Sequence, residues 1–166
     1  MERYENVTIE PCDFLGAPQP DGRYKVFANI PFDLSSPIVR KLTNADNPPV
    51  SIYLIVQKQF AQKMLLGGSH FHGALGMGIA PWWTARIRRP LRKSDFTPPP
   101  AVDTVLLELK RRETPLLPVH RLANYLAWIE SCYHDPKVYA KANPPVGMKP
   151  SQLTVEQWVQ LFRRHI

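Results

Sequence analysis

The sequence predicts an α/β fold with a small helical extension, on three observations. Short β-branched and aromatic runs recur through the first two thirds, helical stretches separate them, and the apolar period becomes helical in the last third. With 166 residues and 44% hydrophobic content, the chain has material for one domain with a core, or one domain plus a small appendage. The 18 prolines do not spread as in a disordered tail, because NPP at 47–49, PPP at 98–100 and NPP at 143–145 mark boundaries between ordered elements.

Each element follows from its residues. VTIEPCDFL and YKVFANIPF read as strands separated by the turn-rich GAPQPDG. Ser36 can cap a helix whose first turn holds Pro37 and which continues through IVRKL. SIYLIVQ is nearly all apolar, as expected of a strand covered on both faces in a parallel sheet, and KQFAQKML follows as a helix. GGSHFHGALGMG reads as a flexible segment, then ARIRRPL and VDTVLLELKRR as further strands on either side of the proline-rich break. Beyond about residue 114, Leu122, Leu126, Ile129 and Tyr133 recur at helical spacing. Thr154 and Gln157 form a capping-box pattern ahead of Trp158, Leu161 and Phe162. The expected division is therefore 1–114 and 115–166.

Charge and cysteine content narrow the function. A net charge of +7 favours a polyanionic partner, nucleic acid first and a membrane surface second, because cations that neutralise phosphates gain from counterion release. No apolar run approaches the roughly 20 residues of a membrane span, and the polar, acidic start does not read as a secretory signal. Cys12 and Cys132 have neither disulfide-framework nor metal spacing, so a reducing cytoplasm is expected.

Several motifs carry competing readings. NIPF at 29–32, met alone, reads first as a strand ending in a proline-directed turn; it also sets a carboxamide beside a flat ring at a strand end. His70 and His72 lack a neighbouring carboxylate or thiolate, so no metal is expected. Trp82 and Trp83 read as packing residues. Arg86, Arg88, Arg89, Arg92 and Lys93 fall within a short run without an acid, which is either a solvated strand edge or a phosphate-binding surface, and the basic chain favours the latter. Nucleophilic catalysis finds no support: Ser35 and Ser36 lack a GxSxG elbow, and neither GxGxxG nor GxxxxGK[ST] occurs.

Taken in order, EPCDFL, ANIPFDLSSPIVRKL, IVQKQFAQKM, the basic strand, SDFTPPPAVDTVLLELKRR and LTVEQWVQLF closely resemble the rRNA adenine N6-methyltransferases. The resemblance runs from about Val7 to the C-terminus. Within that superfamily the tail, YLAWIESCY followed by LTVEQWVQLF, looks most like the Erm group, which methylates 23S rRNA and confers macrolide, lincosamide and streptogramin B resistance. The sister branch that dimethylates small-subunit rRNA shares NIPF-like and FxPxP-like motifs.

The resemblance implies a Rossmann-like sheet that binds S-adenosylmethionine. Asp13 would accept a hydrogen bond from the cofactor's adenine amino group and Phe14 would lie against that ring. Asn29, with the main-chain carbonyl of Ile30 or Pro31, would face the methyl group and hold the target amino group. Phe32 would stack the flipped adenine and Phe96, stiffened by the prolines behind it, would close from the other side. Arg40, Lys41 and the basic strand would grip the RNA backbone. The glycine-rich cofactor loop and the ribose-binding acid of the family precede the equivalent of Val7. The sheet is thus expected to be N-terminally incomplete, leaving two outcomes: the C-terminal part of a methyltransferase, or a truncated chain that binds RNA without transferring methyl.

Overall fold

Four strands form one sheet in the computed structural model, which describes residues 4–66 and 72–166. They are β1 (Lys25–Asn29), β2 (Ser51–Gln57), β3 (Trp83–Leu91) and β4 (Thr104–Arg111), in the spatial order β1-β2-β4-β3. β1 and β2 are parallel, joined by the crossover helix α1 (Ser35–Thr43), whereas β4 runs antiparallel to both its neighbours. The α/β expectation holds, but the sheet is mixed rather than parallel, because β3 returns through the proline-rich loop as a hairpin and β4 inserts beside β2.

One face of the sheet builds the core. Ile52, Leu54, Val56, Leu107 and Leu109 are fully buried, and their alternate positions place them all on the face that α1, α2 (Lys58–Met64) and α3 (Ala74–Ile79) cover. The intervening residues of β2, Tyr53, Ile55 and Gln57, are only half-buried. SIYLIVQ is therefore a strand covered fully on one side, not on both. β1 is an edge strand with Phe27 71% exposed.

Three further expectations change. VTIEPCDFL forms no strand: Val7 and Ile9 are exposed, and no described strand lies beyond β1 to pair with it. A strand without a ladder has nothing to offset its ordering entropy. Ser36 is not the cap of α1, which starts one residue earlier, where the Ser35 hydroxyl donates to the Phe32 carbonyl at 2.9 Å. Part of GGSHFHGALGMG is helical, with Met77 fully buried in α3; residues 67–71, including His70, lie outside the described residues. His72 is buried, with Nδ1 2.8 Å from the Leu65 carbonyl oxygen.

The C-terminal helices α4 (Leu122–His134), α5 (Pro136–Lys141) and α6 (Val155–His165) assemble around aromatic rings. Tyr125 packs edge-on to Trp82 at 5.7 Å and to Phe162 at 5.0 Å, and Trp128 meets Trp158 edge-on at 5.5 Å. Trp82 and Trp83 are thus core residues, as their setting beside Pro81 suggested. The capping box at α6 forms: Gln157 N–H donates to Thr154 Oγ1 at 3.3 Å, and Thr154 N–H to Gln157 Oε1 at 2.9 Å.

Close packing of α3 on α2 depends on a missing side chain. A Cβ on Gly76 would lie 2.6 Å from the Lys63 carbonyl oxygen and 3.0 Å from Met64 Cα, both main-chain atoms that cannot swing away. Helix propensity alone favours Gly76→Ala by about 1 kcal/mol. The contact reverses that sign, and urea denaturation of Gly76→Ala is expected to show a net loss of about 1–3 kcal/mol. In the same folded protein, Cys12 is exposed, whereas Cys132 is buried with its thiol pushed up to about 11 by desolvation. A maleimide is therefore expected to label Cys12 rapidly at neutral pH and Cys132 only on unfolding, as mass spectrometry of the labelled peptides will show.

Candidate active site and its basic flank

Strand register sets the rim from which the NIPF and Phe96 segments emerge. Asn29 at the end of β1 is aligned with Ile55, Ile55 with Leu106, and Leu106 with Arg89. The end of β1, the end of β2, the start of β4 and the end of β3 therefore share one edge of the sheet. NIPF leaves this rim from β1, and the segment carrying Phe96 leaves it from β3, three strand spacings or about 14 Å away.

At the β1 end, local chemistry sorts the four residues. Asn29 is exposed, and its carboxamide has no side-chain partner among the described residues. Ile30 is buried, 7% exposed, and anchors the motif in the core. The Pro31 carbonyl accepts the Leu34 N–H at 3.1 Å, closing the 3-10 turn over Phe32–Leu34. Of the two main-chain carbonyls considered from sequence, that of Ile30 is thus the one without such a bond among the described residues. Phe32 is half-buried, so its ring is held but retains an open side.

The other wall of the rim pins itself. Lys93 Nζ donates to the Ala101 carbonyl at 3.0 Å, Arg92 N–H donates to Asp95 Oδ2 at 3.0 Å, and Lys58 N–H donates to the Asp103 carbonyl at 2.9 Å. Phe96 is half-buried within this braced loop, whose Thr97–Pro98 peptide is cis. No ring contact joins Phe32 to Phe96 among the described residues, consistent with the three-strand separation of their origins.

Asp13 and Phe14 sit in a loop tied to α1. Asp13 Oδ1 accepts the Leu15 N–H at 3.0 Å, and its main-chain carbonyl accepts from Gly16 and Ala17. Lys41 Nζ donates to the Leu15 carbonyl at 2.9 Å and to the Ala17 carbonyl, and lies 5.3 Å from the centroid of the Phe14 ring. Asn29, which precedes the opposite end of α1, shares no hydrogen bond with this loop among the described residues.

The basic residues are less free than the sequence suggests. Lys41 is committed to the loop just described, and Arg40 pairs with Glu130 of α4, so neither is an open phosphate contact. Lys93 is committed to Ala101. The run from Arg86 to Lys93 does meet an acid, across the sheet rather than along the chain. Arg86 is opposite Glu108 in register and bonds it through Nε, and a bulge between Ile87 and Arg89 leaves Arg88 Nη1 3.7 Å from the same carboxylate. Within this run, Arg89 and Arg92 are the cations whose side chains keep no partner among the described residues.

Glu108 is the residue sequence reasoning missed. It is 4% exposed, and its carboxyl is held below the usual carboxylate range by the Arg86 hydrogen bond, reinforced by Tyr53 and by the charges of Arg86 and Arg88, against the opposing effect of burial. A lone acid inside the apolar strand VLLELKR was the available signal, since a buried carboxylate requires a cationic partner.

Comparison with known proteins gives consistent matches. The family described as ribosomal RNA adenine dimethylase matches residues 2–135. A ribosomal RNA small subunit methyltransferase A of Streptococcus agalactiae is 27% identical over 129 residues, which cover 72% of this chain and 44% of that protein. The chain thus spans less than half the length of this curated relative. Among solved structures, the 23S rRNA methyltransferase ErmE superposes with a TM-score of 0.74 at 24% identity, over 92% of this chain and 69% of that one. A dimethyladenosine transferase from Plasmodium falciparum superposes with a TM-score of 0.71 at 20% identity, over 97% and 73%. The fold is the Rossmann-like methyltransferase fold with a helical C-terminal part.

The Glu108 pair has a pH signature. A carboxyl held low in the folded state stabilises the protein above its unfolded value, and this contribution disappears as pH falls through the lower folded value. Acid titration of the folding equilibrium is expected to lose stability below the ordinary carboxylate range, and Glu108→Gln is expected to flatten that limb while lowering stability at neutral pH.

Proposed function

The chain belongs to the ribosomal RNA adenine dimethylase family, and from that membership we propose that it is the substrate-clamping part of an S-adenosylmethionine-dependent rRNA adenine N6-methyltransferase. The observation that carries this reading is the rim: a carboxamide without a partner at Asn29, an unengaged Ile30 carbonyl beside it, and an aromatic ring on each wall at Phe32 and Phe96.

Residue chemistry supports a division of labour. An adenine amino group has two N–H donors; the Asn29 side-chain oxygen and the Ile30 main-chain oxygen are two acceptors at a strand end. Accepting both turns the nitrogen lone pair away from the ring plane and toward an incoming methyl carbon. Phe32 stacks the everted base and the braced Phe96 loop closes on it, so orientation supplies much of the rate. S-adenosylmethionine supplies the electrophilic methyl group. The residues present fit its adenine end, since Asp13 retains a free Oδ2 and Phe14 an exposed ring. They do not include a glycine-rich loop for the remainder.

Two rRNA targets are separable. The curated relative named above is a small-subunit enzyme, which favours small-subunit rRNA. The C-terminal motifs YLAWIESCY and LTVEQWVQLF favour the 23S target and macrolide resistance. This second reading invokes the C-terminal helices α4, α5 and α6.

The test is transfer of labelled methyl to small-subunit and 23S transcripts, with N6-methyladenosine identified after nuclease digestion. Asn29→Ala is expected to lower transfer by about 10²–10³-fold, the scale of losing one preorganised transition-state contact, with RNA affinity nearly unchanged. A variant that mainly weakens RNA binding would contradict this assignment. Absence of both transfer and S-adenosylmethionine binding by this chain would restrict its role to RNA binding.

A further inference from the structure

We propose that Ser35 is the positioning residue of the Asn29–Phe32 wall: its buried hydroxyl holds the Phe32 main chain against the start of α1 and thereby sets the geometry of the rim. The inference rests on the reading of that wall as a base clamp. Ser35 is 2% exposed, and its Oγ donates to the Phe32 carbonyl at 2.9 Å. The Ser35 main-chain N–H donates to the same carbonyl, so one residue supplies two bonds to one acceptor.

The motif is gripped from both sides. Ile30 is buried before the turn, and Ile38, Val39 and Leu42 seat α1 in the core after it, which makes Ser35 a donor on a fixed support. Between these anchors the Pro31 carbonyl is engaged by the Leu34 N–H at 3.1 Å and the Phe32 carbonyl by Ser35. Two successive peptide groups are thus turned toward the helix. With its main chain held in this way, the Phe32 ring is left only its side-chain torsions to choose its direction.

Burial separates Ser35 from its neighbour. The Ser36 hydroxyl has no hydrogen bond among the described residues, although both serines stand in the same DLSSP stretch. A buried hydroxyl has given up water and depends on its acceptor, so Ser35→Ala acts on the turn and not on the surface. A loosened turn carries Asn29 and Phe32 off the line of transfer, where a displacement of about 1 Å costs up to roughly 100-fold in rate.

The experiment compares the full chain with Ser35→Ala and Ser36→Ala in two readouts. The first is amide hydrogen exchange followed by NMR, which does not depend on methyl transfer. In Ser35→Ala the amides at positions 34 and 35 are expected to exchange about tenfold faster, the scale of one lost hydrogen bond, while those of Val39 and Leu42 keep their wild-type rates. The second is single-turnover transfer of labelled methyl to the rRNA transcripts, expected to fall about tenfold in Ser35→Ala with RNA affinity unchanged. Ser36→Ala is expected to change neither. Exchange that accelerates equally along α1 overturns the proposal, because Ser35 then only stabilises the helix. So does wild-type exchange at positions 34 and 35, or transfer that falls only through weaker RNA binding. A wild-type chain that transfers no methyl group contradicts the clamp reading instead, and the exchange comparison then decides alone whether Ser35 fixes the turn.

Discussion

The register of β4 is the constraint on which the other features depend. This strand pairs with both β2 and β3, and its alternation buries Leu107 and Leu109 completely while directing Glu108 to the opposite face. A slip by one residue would drive a carboxylate into the helix-covered core and expose two leucines, at a cost that no surface interaction offsets. The pairing of Glu108 with Arg86 therefore reports the register as much as it stabilises it. Because the same ladder aligns Asn29, Ile55, Leu106 and Arg89, it also fixes the rim from which NIPF and the Phe96 loop emerge.

The helical part packs onto this sheet through rings. Tyr125 touches Trp82 on the sheet side and Phe162 on α6, so α4 joins the two sets of contacts. Gly76 and Gly78 of α3 let the surrounding elements approach closely; a Cβ at Gly78 would lie 2.7 Å from Leu126 Cδ2. Arg40, paired with Glu130, ties α1 to α4 on the surface. A cation on the helix after NIPF thus has a structural partner, and its contribution is modest because both side chains remain over one third exposed.

The sheet has two unlike faces. One is covered by helices and closes the core; the other presents Phe27 and Tyr53, with partly buried Ile55 and Leu106. β1 pairs with β2 on one side only among the described residues. Among the described residues, no helix is long and apolar enough to cross a membrane.

The sequence by itself determined the elements whose signal is local. Short β-branched, aromatic and apolar runs placed β1 to β4 within a few residues, helical spacing located α4, and the Thr154 to Gln157 box located the start of α6. The ordered motifs identified the family. Short α5 and α3 were missed, one following the Asp135 cap and the other hidden by glycines that are there for close approach rather than flexibility. Only the tertiary structure decided which charges are free. Glu108 lies beyond Arg86 in sequence but beside it across a ladder, Arg40 meets an acid on a distant helix, and Lys41 is drawn to loop carbonyls. Local patterns record how a segment folds on itself, whereas pairing of charges depends on register and crossover, which residue spacing along the chain does not encode.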